Sequence, residues 1–457
     1  MEINYPTSNF PISQFPNFIM NLFGRLFGTT APPPQPAIRF GRFTDSNRTA
    51  EREAAFDAAL RDFDKENYLS AYVSFFNYLL DVEEQNVRVR EDRGELHFEF
   101  FQGSKRVTGY ANDRKLYAEA KIAKANSLQS SFMRRLLEVN YELKYSRFAL
   151  SPDNEISIVF DTYTSDGSPY KLYAALKELA TLADKHDDIL VDEFEALEIT
   201  DLNMRRVLPD WEKTVKYDFI QQKVRAAFKE IDHGKLNTDQ YPVAVTYLLL
   251  HLCYKLDYLA KPEGFMMETL ECIHRSAFEQ DGKNASQKNL ALRKEFQKLL
   301  DRPREKFFQE MYEVSATFGI TPPIDHQNVA ILIDQELPNM RWYADHGYEP
   351  IALAVPGFII GRALFNFALP PPDKAFFHLL MQIMEADYFR DLGFKPLVEN
   401  GVFDEKAIRQ AIRQIAEQHE NEYPRLKPDM KKLVFSSMPN FAESFLMMVR
   451  ELDLVKN

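Results

Sequence analysis

Val87–Phe101 reads VRVREDRGELHFEFF, and its apolar residues fall on every second position. Alternation of period 2 belongs to a strand with one buried face, and Arg93-Gly94 between the runs Val87–Asp92 and Glu95–Phe101 predicts a hairpin. A third run follows over Arg106–Ala111 and Lys115–Ile122, with Leu116, Ala118, Ala120 and Ile122 on one side. Two more strands, Leu143–Leu150 and Ile156–Asp161, flank Ser151-Pro152-Asp153-Asn154, whose residues favour a turn. Helical spacing of apolar residues marks Glu51–Leu80 (one long helix or two short ones), Ser130–Asn140 with Phe132, Met133, Leu136 and Leu137 inward, and Ser168–Lys185. The block thus reads helix, three strands, helix, two strands, helix. That order predicts an α+β fold, an antiparallel sheet with helices on one face.

Four passages carry a resemblance: LYAEAKIA (Leu116–Ala123), LLEVNYEL (Leu136–Leu143), RFALSPDNEISIVFDT (Arg147–Thr162) and KELATLADKHDDILVDEF (Lys177–Phe194). With the order of elements, they make residues 50–194 resemble the YbjN and type III secretion chaperone (CesT-like) superfamily. The resemblance implies a module, often dimeric, that holds a protein or peptide client without chemistry. In that family a helix forms the dimer interface, and it matches Ser130–Asn140 here. Met133, Leu136 and Leu137 are therefore candidate partner-binding residues for a homodimer, with ordinary core packing as the alternative. The outward parity of the sheet, His97, Glu99, Tyr117, Glu119 and Lys121, is mostly charged and departs from an apolar client groove.

Before this block, Phe15, Phe18, Ile19, Leu22, Phe23, Leu26 and Phe27 form an apolar helical stripe, giving residues 1–30 as an N-terminal amphipathic helix. The stripe packs on its own chain or on a partner. Residues 31–49, opening with Ala31-Pro32-Pro33-Pro34-Gln35-Pro36, read as an extended, semi-rigid linker. Beyond it and the 50–194 block, residues 195–457 read as a helical domain with a sub-boundary near 301–322. Its predicted helices include Pro209–Ile231, a strong one from Pro242, Gly264–Gln280, Gln287–Leu300, Pro303–Phe318, Pro322–Glu336, Pro350–Leu369, Lys374–Arg390, Glu405–Glu420 and Pro439–Leu452. Asp404 is the expected N-cap of the helix at 405, with Phe403 and Ile408 as its hydrophobic staple.

The 457 residues carry 68 acidic against 56 basic side chains, a net charge of -12, which disfavours nucleic acid as a partner. Two cysteines are too few for a disulfide framework and suit a cytoplasmic location. The N-terminus has no basic region ahead of its apolar stretch, so no secretory signal is expected. The apolar run Ile351–Leu369 contains Pro356, Gly357 and Arg362 and reads as a buried helix, not a membrane span. His251-Leu252-Cys253 and Cys272-Ile273-His274 resemble paired zinc ligands, but in helices residues two apart point about 200° apart, so no metal is expected. The acidic region 161–193, with Asp161, Asp166, Asp184, Asp187, Asp188, Asp192 and Glu193, is the one place that suggests acid/base work. Phosphate-cradling, serine-nucleophile and zinc-protease motifs are absent. The expectation is a non-catalytic peptide- or protein-binding module with no cofactor. A structural subunit of a larger assembly is the alternative, and an enzyme using region 161–193 the lesser one.

Overall fold

In the computed structural model, residues 36–46, 48–82, 84–200 and 205–456 are described. The stripe from Phe15 to Phe27, the 1–30 helix that it belongs to and the first part of the proline tract lie outside the described residues.

Glu51–Leu80 forms two helices, α1 (Ala50–Asp64) and α2 (Tyr68–Leu79). They part at Glu66, whose φ of +61° ends the first helix in a left-handed turn. Four strands follow instead of three: β1 (Val87–Asp92), β2 (Glu95–Gln102), β3 (Lys105–Ala111) and β4 (Lys115–Ala125). The extra reversal is made by Asn112, whose side-chain oxygen accepts from the N–H groups of Arg114 and Lys115. Next come α3 (Ser130–Glu142), β5 (Arg147–Leu150), β6 (Glu155–Tyr163), α4 (Pro169–Glu193) and the short β7 (Leu197–Ile199). Ser168 caps α4 and Pro169 occupies its first turn, where no donor is lost.

The sheet runs β1-β2-β3-β4-β6-β5, every neighbour antiparallel, and β7 adds to β4. Leu96, Phe98 and Phe100 of β2 face inward under α2 and α4, with the Phe76 ring 4.3 Å from that of Phe98. Burial of each such ring contributes roughly 1.5–3 kcal/mol. The opposite face is laced with ion pairs: Arg88–Glu99, Lys121–Glu155 and Arg147–Asp161. It is polar, as its sequence parity indicates.

The C-terminal region is helical: α5 (Asp210–His233), α6 (Pro242–Ala260), α7 (Gly264–Phe278), α8 (Ala285–Asp301), α9 (Arg304–Gln309), α10 (His326–Asp345), α11 (Glu349–Asn366), α12 (Pro371–Met384), α13 (Ala386–Asp391), α14 (Glu405–His419) and α15 (Met438–Arg450). The α+β class with a helical C-terminal part is thus the fold that this chain adopts. At the centre, α6 packs against α5, α7, α8 and α11. Among the described residues it is the one helix long and apolar enough to cross a membrane, and most of it is buried inside the fold.

Among the C-terminal helices, three depart most from the sequence reading. The helix expected over Pro303–Phe318 stops at Gln309, and the chain from Tyr312 onward runs extended toward the sheet. α10 continues through Pro338 to Asp345, beyond the expected stop at Glu336, because Val329, Ile333, Leu337, Met340 and Tyr343 keep one face buried along its whole length. The helix expected over Lys374–Arg390 breaks at Glu385, which is buried and bonded to Lys255 at 2.5 Å and Lys223 at 2.6 Å.

Candidate functional site

Two separate clusters of buried apolar residues, one under the sheet and one among the helices, leave a junction between them. Three pieces of chain meet there: residues 36–46, the β2–β3 turn, and the extended segment after β8 (Tyr312–Glu313).

The first of these differs from a free spacer. Ile38 and Phe40 pack on the helical core, and the Gly41 N–H donates to the Tyr258 carbonyl at 2.8 Å. Arg42 places its guanidinium on Asp257 of α6 at 2.7 Å and on Glu271 of α7 at 3.3 Å, over the Phe365 ring. Burial alone would lower the guanidinium's pKa; the charge of Asp257 outweighs it and keeps the group ionised. Asp45 then accepts from Tyr173 of α4 at 2.8 Å and pairs with Arg48 at 2.7 Å. Residues 36–46 therefore strap the two halves together.

The second and third pieces grip each other. Gly103 donates its N–H to the Ser315 carbonyl at 2.9 Å. The Gln102 side-chain oxygen accepts from the Thr317 and Phe318 N–H groups at 3.1 and 2.9 Å, and its amide donates to the Phe318 carbonyl. Thr317 donates its hydroxyl to the Phe101 carbonyl, and Asn86 donates to the Thr317 oxygen. The Phe318 ring enters the core under the sheet, edge-on to Phe100 and Tyr173 at 5.7 and 5.4 Å. An extended polypeptide is thus held by a main-chain β-bridge, an amide clamp and an aromatic anchor. Gly103 has φ +57°, and a Cβ there would lie 1.7 Å from Asp184 Oδ1, so the turn admits no side chain.

Beside the grip lies a cavity of about 620 Å³, lined by the strap, by Thr181, Leu182 and Asp184 of α4, by the α6–α7 connection, and by Val314, Ala316, Phe318 and Ile320. Its rim is charged, with Arg39 on Glu84 at 2.7 Å and Lys185 on Glu268 at 3.0 Å. A second cavity, of about 460 Å³, adjoins His326 and Tyr423; its lining among the described residues holds no serine, threonine or cysteine.

Of the residues singled out from the sequence, Asp184 lies at this site and the other described ones fall elsewhere. On α3, Leu136 is buried and Met133 packs against the core, but Leu137 is 67 % exposed, a correction to its inward assignment. Leu137 follows Leu136 by one position, so the two cannot share a face. The partner-binding stripe Phe15, Phe18, Ile19, Leu22, Phe23, Leu26 and Phe27 lies outside the described residues. Of the acidic region, Asp161 pairs with Arg147, Asp166 with Lys171, and Asp184 accepts the Ser104 N–H at 2.8 Å, each in a different place. Cys253 points at the Leu270 carbonyl and His274 at the Tyr254 hydroxyl, while the His251 ring lies against Gly357. Burial, then the charge of Lys255, holds His251 down to about 3, and burial pushes the Cys253 thiol up. Among the described residues no three His, Cys, Asp or Glu side chains are grouped to hold a metal ion.

The sequence reading missed Gln102, Asn86, Thr317 and Phe318. Only the β-branched and aromatic content of Val314–Phe318 hinted that this stretch would be extended. Comparison with known proteins finds no family model that matches the chain and no curated protein that matches it.

Proposed function

We propose that this chain is a non-catalytic polypeptide-binding protein, with residues 50–194 acting as a module of the YbjN and secretion-chaperone kind. The observation that carries this is the grip on residues 315–318: the module already holds an extended stretch of its own chain by a β-bridge, an amide clamp and an aromatic anchor. A client in trans would use the same chemistry. The ion-paired outer face of the sheet takes no part in this reading. Two cysteines, both unbridged, support a cytoplasmic location.

The test uses a labelled peptide of residues 312–320, YEVSATFGI, and the full chain carrying Phe318→Ala. Fluorescence anisotropy is expected to show saturable binding to the variant, whose anchor pocket is open, and weak or no binding to the wild type. A circular-dichroism melt checks that the variant is folded. A folded variant that ignores the peptide defeats the proposal.

A second reading, a permanent subunit that pairs with another copy, is favoured by α3. Leu137 and Tyr141 lie four residues apart on its outer side and are 67 % and 93 % exposed, a small apolar face at the position of the family's dimer helix.

A further inference from the structure

The wall of the junction cavity carries five basic and five acidic side chains, but two of the basic ones stand outside its ion pairs among the described residues. Lys261, the residue that ends α6 in a left-handed backbone conformation (φ +48°), and Lys374, in the first turn of α12, both line it. Neither ammonium has a hydrogen-bond or ion-pair partner among the described residues. The other cations of the wall are paired: Arg39 with Glu84, Arg42 with Asp257 and Glu271, Lys185 with Glu268 and Glu271, while Asp184 accepts the Ser104 N–H. Glu263 and Glu84 offset part of the charge on Lys261, while Arg39 and Lys216 add to it; the charge that acts on Lys374 is that of Lys261, of the same sign. Lys374 also stands at the positive end of the α12 dipole, where a cation is disfavoured. Burial pushes both lysines below their ordinary value.

Two like charges, partly removed from water beside a helix N-terminus, are a standing electrostatic strain that a bound anion relieves. Away from them and from the paired charges the wall is largely apolar, with Phe43, Met267, Phe318 and Ile320. The volume of about 620 Å³ falls within the roughly 300–1,000 Å³ of small-molecule sites.

We propose that this cavity binds a small amphipathic anion, a carboxylate or phosphate monoester on an apolar chain, with its head between Lys261 and Lys374 and its body along Phe43, Met267 and Ile320. This site is separate in chemistry from the polypeptide grip, and its failure leaves that reading standing.

Isothermal titration calorimetry on the full chain, with decanoate, decyl phosphate and neutral decan-1-ol as probes, tests it. Both anions are expected to bind at a single site, at least about tenfold more tightly than the alcohol, and more weakly as salt is added. Lys374→Met should weaken the anions by about tenfold or more and leave the alcohol unchanged. The same variant should melt no lower than the wild type without ligand, because it removes an unmatched charge. Should Lys374→Met fail to fold, Lys261→Met serves in its place. Equal affinity for decanoate and decanol, unchanged anion affinity in a folded variant, or no saturable binding of either anion overturns the proposal.

Discussion

His326 and Asp373 show how a single pair can tie pH to stability. The imidazole Nδ1 lies 2.9 Å from a fully buried Asp373 carboxylate, joining the start of α10 to the start of α12. Burial would lower the imidazole's pKa, but the hydrogen bond and charge of Asp373 outweigh it and raise the value above the ordinary 6.5. With the folded value above the unfolded one, the stabilisation is complete below pH 6.5 and is lost as pH rises through the folded value. Because burial also pushes the Asp373 carboxyl up, so that it protonates in acid, His326→Ala should cost about 3 kcal/mol just below pH 6.5, with the gap narrowing as pH rises from there. Urea denaturation across that range measures it, and a gap independent of pH would refute the linkage. At this scale the sequence was partly readable: spacing alone indicated that His251 and Cys253 would diverge, and they do. Nothing in the sequence marked Asp184 as the acceptor that holds the β2–β3 turn, since its partner is a backbone N–H eighty positions away.

Elements followed their apolar periodicity where local burial decided them, and departed from it where a distant surface did. β2 keeps the alternation seen in ELHFEFF because one face meets α2 and α4. Pro303–Phe318 carries enough helical pattern to predict a helix, yet only Arg304–Gln309 is helical. Past it, the N–H groups of Thr317 and Phe318 find the Gln102 side chain, and Phe318 buries its ring in the other half of the molecule. Tertiary bonds there outweigh helix propensities worth about 0.7 kcal/mol per residue. On α3 the exposed face bearing Leu137 and Tyr141 is where the proposed pairing of two copies would be made. Light scattering should show a wild-type dimer and a monomeric Leu137→Asp, Tyr141→Asp variant. Each of these exposed changes should shift monomer stability by no more than about 0.5 kcal/mol. A monomeric wild type at all concentrations would rule the pairing out.

For the whole molecule, the relation of the two halves depends on the strap of residues 36–46 and on segment 312–320. Arg42 is the strap's largest single tie, with Asp257 nearly inaccessible to solvent. Arg42→Ala leaves that carboxylate buried without its cation, a loss of about 3–5 kcal/mol. Calorimetry should show a lower melting point, and hydrogen exchange should rise at Gly41 and Phe43; an unchanged melt would show that the strap is not what holds the halves. The sequence by itself determined the α+β block, its antiparallel strands, its polar outer face and the helical remainder, because periodicity reports which side of each element is buried, a property each element carries locally. Only the tertiary structure decided that residues 36–46 of the linker are docked, that Phe318 crosses to the other core, and that Lys261 and Lys374 share one cavity. Those three depend on which surfaces meet across hundreds of residues, and no local pattern encodes the identity of a distant partner.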